Sequence, residues 1–262
     1  MTPLPAVFVG HGSPMIMIEP SPARDFLAGL GGRYGRPAAI VMVSAHHDMA
    51  EAVVTAVESP PTIHDFGGFP QALYDMRYPA KGDPALAREI AGLVAGAGMP
   101  VAIDPARGLD HGAWVPLMLG WPDADVPVVQ LSISSRHSPE WHHRIGRLLA
   151  PLRARGVLVI GSGSLTHNLR AVFAERRDHD AATPEWVSGF ADWMHERIGA
   201  GDTDAVLNAV ELAPNGRLNH PTPDHILPLF SAMGAGGGGA RGERLHHSYT
   251  YGVLAMDAYA FS

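Results

Sequence analysis

Three short apolar runs limit how this chain can fold. Ala6-Val7-Phe8-Val9, Ala38-Ala39-Ile40-Val41-Met42-Val43 and Val157-Leu158-Val159-Ile160 are unbroken by polar residues, as expected of strands covered on both faces. Such strands need helices above and below them. The expected fold is therefore α/β, with a central mostly parallel or mixed sheet covered by helices on both faces. Further strands are expected over 53–57, 101–103, 126–133 and, as one or two strands, 249–259. Ser21-Pro22, Asp83-Pro84 and Ser138-Pro139 each place a capping residue before an N1 proline, which starts helices reaching about Leu30, Ala97 and Leu152. Gly31-Gly32 should stop the first of them. More helices are expected over 184–199, 202–209 and 226–233, with 234–242 a flexible surface connection. No repeat or linker interrupts the chain, so residues 1–262 read as one domain.

The bulk numbers exclude several classes of function. With 262 residues and 46% hydrophobic composition, the chain can bury a substantial core. A formal net charge of −7, without any long Lys/Arg run, argues against nucleic acid or an anionic membrane as the main partner. No stretch approaches a membrane span and the first residues do not read as a leader, so a cytoplasmic protein is expected. The count of zero cysteines removes disulfides, thiolate zinc sites, iron–sulfur clusters and cysteine nucleophiles together. Any metal must be held by nitrogen and oxygen.

The sequence is rich in histidine, with 15, and their placement is informative. The first run ends in Gly10-His11-Gly12-Ser13-Pro14 and the second in Ser44-Ala45-His46-His47. Carboxyl ends of strands are where open α/β sheets bind ligands. Side chains alternate along a strand, so only one of His46 and His47 can face the crevice. His111 lies in Leu109-Asp110-His111-Gly112-Ala113-Trp114, where it could cap a helix; His167 follows Gly161-Ser162-Gly163-Ser164-Leu165-Thr166; His225 follows Pro223-Asp224, in the first turn of a helix. One such residue alone reads as a hydrogen-bonded turn histidine. Five from separate segments, each near Gly, Ser or Pro rather than on an amphipathic face, read as a metal site. Imidazoles suit Fe(II), Zn(II), Cu(II) or Ni(II). His142 and His143, on a helix, read as surface residues. The Gly161-to-Ser164 stretch lacks the lysine of a P-loop and the spacing of a dinucleotide fingerprint. Aromatics from Phe66 and Phe69 to Tyr74 and Tyr78 sit in a glycine-rich loop, which is either a substrate wall or a plug in the core.

Taken in order, Gly10-His11-Gly12-Ser13-Pro14, Ser44-Ala45-His46, His64-Asp65-Phe66-Gly67-Gly68-Phe69-Pro70, Leu109-Asp110-His111-Gly112-Ala113-Trp114, Gly161-Ser162-Gly163-Ser164-Leu165-Thr166-His167-Asn168 and Pro223-Asp224-His225 resemble the DOPA 4,5-dioxygenase branch of the LigB-type, class III extradiol dioxygenases. The resemblance implies a mononuclear site at the strand carboxyl ends with His11, His46 and His225 as ligands. It implies His167 as an acid–base residue or fourth ligand, and His111 as a second catalytic imidazole. Many enzymes of this class use a carboxylate as third ligand; here Asp224 is either that ligand or the group that orients His225.

The implied reaction is cleavage of a DOPA-like catechol by O2 to a muconic semialdehyde. Fe(II) is the implied cofactor, with Zn(II) able to occupy the site in a purified sample. Phe66, Phe69 and Tyr74 are the expected substrate wall. Two other readings use the same residues. A Gly-His-Gly-Ser strand end also resembles class II chelatases, although Pro14 stands where that family usually has arginine. The other is a zinc hydrolase or zinc-binding protein built on the same ligands.

Overall fold

A computed structural model describes residues 2–262. Its centre is an eight-stranded sheet built from Ala6–Gly10 (β1), Ala39–Asp48 (β2), Ala52–Thr55 (β3), Val101–Asp104 (β4), Val128–Ile133 (β5), Val157–Gly163 (β6), Gly242–His246 (β7) and Ala258–Phe261 (β10). Two short strands, Tyr249–Thr250 (β8) and Leu254–Ala255 (β9), form a separate ribbon. The strand order is β4-β3-β5-β2-β6-β1-β10-β7. The four central strands β5, β2, β6 and β1 are parallel, while β10 and β7 add antiparallel strands beyond β1. This is the mixed, doubly covered sheet that the apolar runs require.

Alternate residues of each run feed two cores. Phe8, Val41, Val43, Val129, Leu131 and Val159 pack on one face with the helices Pro84–Gly96, Pro139–Leu149, Glu185–Ala200 and Leu227–Gly236. Val7, Val9, Ile40, Met42, Leu158 and Ile160 pack on the other with Pro22–Ala28 and His111–Gly120. Period-two alternation thus survives in runs without polar residues, because both faces are apolar.

Four local expectations are corrected. The first helix ends at Ala28, and Gly31 and Gly32 lie inside a second short helix, Leu30–Tyr34, which Gly35 ends at φ 64°. Residues 234–242 are not one flexible connection. Gly234, Ala235 and Gly236 finish a buried helix, and Gly242 opens β7. A Cβ on Gly234 would stand 2.1 Å from the His143 carbonyl oxygen, so this glycine serves close helix packing and not mobility. His142 is buried: its Nε2 accepts from the Ser134 amide at 3.1 Å and its Nδ1 donates to the Ser138 carbonyl at 2.9 Å, because its helix turns this position toward the sheet. His225 stands just ahead of the helix Leu227–Gly236, not in its first turn.

Candidate metal centre

The carboxyl end of β6 organises the site. Registers Gly10 with Gly163, and Ser44 with Ser162, bring the ends of β1, β6 and β2 level. β6 lies between the other two, so β1 and β2 are about 10 Å apart and their imidazoles must lean inward over its glycine–serine end. The Gly163 carbonyl accepts from the His11 amide at 3.1 Å, and the Ser164 amide donates to the His225 carbonyl at 2.9 Å. A Cβ on Gly163 would stand 2.1 Å from that carbonyl oxygen, so only glycine lets the His225 segment dock there. The stretch that failed as a phosphate cradle is the platform for two histidines.

Each imidazole of a first trio has an oxygen beside its Nδ1, and at His11 that oxygen is a hydrogen-bond partner. The Ser162 hydroxyl gives its proton to the Gly112 carbonyl at 2.5 Å, so it accepts from His11 Nδ1 at 3.0 Å. His46 Nδ1 lies 3.4 Å from Asp65 Oδ2, and His111 Nδ1 lies 3.0 Å from Asp65 Oδ1. With its Nδ1 carrying the proton, His11 turns the lone pair of Nε2 toward His46 Nε2, 3.1 Å away. Two ligand nitrogens each about 2.1 Å from one ion and about 90° apart are separated by nearly that distance. The donor set therefore fits a metal ion.

His225 completes the ring of imidazoles. Its Nδ1 donates to the carboxylate of Asp224, and its ring centroid is 4.9 Å from that of His46 and 5.4 Å from that of His11. His167 stacks on His225 with centroids 3.4 Å apart and planes 6° from parallel. No side-chain hydrogen bond holds the His167 ring among the described residues. Ligand atoms of His11, His46 and His111 lie within 4.8 Å of one another, as do those of His167, Asp224 and His225. All five histidines line one cavity of about 630 Å³.

Electrostatics keep His11, His46 and His167 neutral. Burial, then the neighbouring His46, His111, His225 and His167, drive the His11 imidazole well below its ordinary value. Burial leads the same downward shift at His46 and at His167. Neutral imidazoles are the form that binds metal. Burial works to raise Asp65, but its hydrogen bonds and proximity to His111 outweigh it and hold the carboxyl at about 2. Asp224 is likewise held well below the usual carboxylate range, burial opposing and the bond to His225 prevailing.

The remaining expectations divide. His46 lines the cavity, whereas His47 is buried with both ring nitrogens unpartnered, as strand alternation requires. His111 does not cap its helix: Asp110 does, accepting from Ala113 N at 3.2 Å, and His111 takes the first helical position. Phe66 and Phe69 line the cavity, but Tyr74 does not. Its hydroxyl receives the Phe69 amide at 3.4 Å and reaches the Phe66 carbonyl at 3.5 Å; it braces the loop from behind because its short helix, Gln71–Asp75, lies outside the wall. Sequence reasoning missed Asp65 and Ser162 as orienting groups, and missed Arg176 and Arg177 on the cavity wall.

An α/β sheet with imidazoles converging at its carboxyl edge defines a histidine-held metal centre. The family model for the catalytic LigB subunit of aromatic ring-opening dioxygenase matches residues 6–262. A 4,5-DOPA dioxygenase extradiol of Beta vulgaris is 41% identical over 259 residues, covering 97% of this chain and 95% of the relative. One of the same name from Escherichia coli K12 is 44% identical, covering 89% and 86%. A crystal structure of an uncharacterized Escherichia coli K12 protein superposes with a TM-score of 0.81 at 34% identity, over 99% of this chain and 100% of that one. This chain belongs to the LigB family of aromatic ring-opening dioxygenases. It is an extradiol-type enzyme with a metal cofactor, and the chelatase reading falls away. No helix among the described residues is long and apolar enough to cross a membrane.

Proposed function

We propose that residues 1–262 act as one catalytic domain that opens a DOPA-like catechol with O2 to a muconic semialdehyde, using Fe(II) held by His11, His46 and His225. The observation that carries this reading is the convergence of imidazoles whose Nδ1 atoms face oxygens of Ser162, Asp65 and Asp224. Iron, when bound there, supplies a redox-active centre with free positions for catechol oxygens and O2. Asp224, engaged with His225, orients that ring and is not itself the ligand. His167, unrestrained by a side-chain bond, takes the catechol proton as neutral imidazole and returns it to the product as imidazolium. His111, whose backbone amide donates to Asp65 at 2.9 Å, hydrogen-bonds the substrate's oxygen. Phe66 and Phe69 bound the ring. The proposal sets the enzyme in the cytoplasm, whose reducing poise keeps iron ferrous.

A second ligand assignment puts His111 in the third position, because its nitrogen lies within 4.8 Å of those of His11 and His46. Metal content separates the two: H225A loses the ion and H111A keeps it if His225 is the ligand, and the reverse holds otherwise. The function is tested by oxygen uptake of metal-stripped protein reloaded anaerobically with Fe(II) and mixed with aerated DOPA, catechol and protocatechuate. Uptake matched by a yellow product, absent after Zn(II) loading, is expected. A filled iron site that consumes no oxygen with any catechol would overturn the proposal.

A further inference from the structure

The cavity holds two cations that the ring chemistry does not use. Arg176 and Arg177 follow the helix Leu169–Ala174 and line the same cavity as the five histidines. Among the described residues Asp65 is the one acidic residue on that wall, and it already lies beside His46 and His111. The two arginines therefore oppose the sign of a chain whose net charge is −7.

Their environments differ. Arg177 is anchored: one terminal nitrogen donates to the Ala182 carbonyl at 3.1 Å, the other lies 2.7 Å from Glu175 Oε2, and Nε is buried without a partner. Glu175 offsets part of its charge. Arg176 makes no side-chain hydrogen bond or ion pair among the described residues, and it sits at φ 48°, a left-handed conformation that costs a non-glycine residue energy. The same segment contributes Leu169, Val172 and Phe173 to the cavity wall, an apolar surface beside the charges.

We infer that Arg176 and Arg177 form an anion subsite that reads a carboxylate on the substrate's side chain, so that catechols with an anionic side chain are preferred over neutral or cationic ones. This inference rests on the catechol reading above. A guanidinium presents donors in a fixed fork matched to a carboxylate. Arg177 brings an immobilised guanidinium to the cavity wall, and Arg176 offers uncompensated charge. The apolar wall takes the ring and the carbons of the side chain.

The test is titration calorimetry on Zn(II)-loaded protein, which does not turn over, with 3,4-dihydroxyphenylpropionate, 4-propylcatechol and dopamine. Wild type is expected to bind the carboxylate about 10- to 100-fold more tightly than 4-propylcatechol. In R176Q and R177Q that ratio falls toward one, and R176K retains part of it. Should R177Q fail to fold for want of its Ala182 tie, R176Q still decides, since its side chain holds no other element. Equal affinities in wild type, or an undiminished ratio in R176Q, overturn the subsite. Ring cleavage by Fe(II)-loaded protein separates the two readings. Cleavage without the preference removes the subsite alone, and the preference without cleavage of any catechol removes the dioxygenase proposal alone.

Discussion

The two trios of the cavity differ in how their imidazoles are restrained. His46 and His111 hold Nδ1 3.4 and 3.0 Å from Asp65 without a hydrogen bond there, Asp65 accepting instead from the His111 amide at 2.9 Å, while His11 donates from Nδ1 to Ser162. In the second trio Asp224 engages His225 in the same way, while His167 is placed by its backbone bond to Asn219 and by stacking on His225. A ring hydrogen-bonded at Nδ1, as in His11 and His225, offers a fixed lone pair, which suits an ion. One without such a partner can exchange protons without breaking a hydrogen bond.

Removing locked rings should have the largest effect. H11A and H46A are expected to lose the metal altogether, read as metal per chain after gel filtration, with ring cleavage undetectable. Full metal content in both would break the comparison. Next, H167A should keep its metal while kcat falls about 10²- to 10⁴-fold. Metal loss equal to that of H11A would make His167 a locking ligand and merge the two trios. D65N, which weakens the hold on two rings at once, should lower metal affinity by about 10- to 100-fold in competition with a chelator, with the folded state intact. An unchanged affinity would show that strand geometry alone aims His46.

Histidines outside the cavity give a smaller, pH-dependent effect. Burial pushes His142 and His220 to about 4 from an ordinary 6.5. Between those values the unfolded chain binds more protons than the folded one, so stability is full above about 6.5 and declines as pH falls toward 4. Chemical denaturation of metal-free protein at pH 7 and pH 5 should show the loss, and H142Q should flatten it. Smallest of all, Y74F should change KM less than about 3-fold, since a surface-side hydroxyl bond is a modest tie, while F69A raises KM more. Equal effects would return Tyr74 to the substrate wall.

Much of this arrangement was legible because strands end in punctuation. Apolar runs announced a doubly covered sheet, and histidines beside Gly, Ser or Pro marked its carboxyl edge. What was hidden depends on tertiary pairing. Nothing local to Ser162 says that its hydroxyl will stand under His11, 151 positions away. Asp65 was submerged in an aromatic loop whose path only packing defines. The insertion of β6 between β1 and β2 was equally invisible, since order in a sheet is not order in a chain. His142 misled because a polar type on a helix suggests solvent, whereas its helix turns it inward to cap the Ser134 amide. The strand β7 begins at the last glycine of a stretch in which Gly234, Gly236 and Gly242 serve close packing.

The pairing of β1 with β10 sets Ala6 opposite Phe261, so the strand that carries the first histidine is flanked by one from the far end of the chain. Closing so long a loop is entropically costly and is repaid only when the contacts between have formed. The donors of His11, His46 and His225 are equally scattered along the sequence, and no partly folded chain can present them together. Metal affinity is therefore a property of the complete fold, and every increment in free metal concentration above the dissociation constant raises the free energy of global unfolding. Melting temperature followed against metal concentration becomes a measure of site integrity that needs no substrate at all.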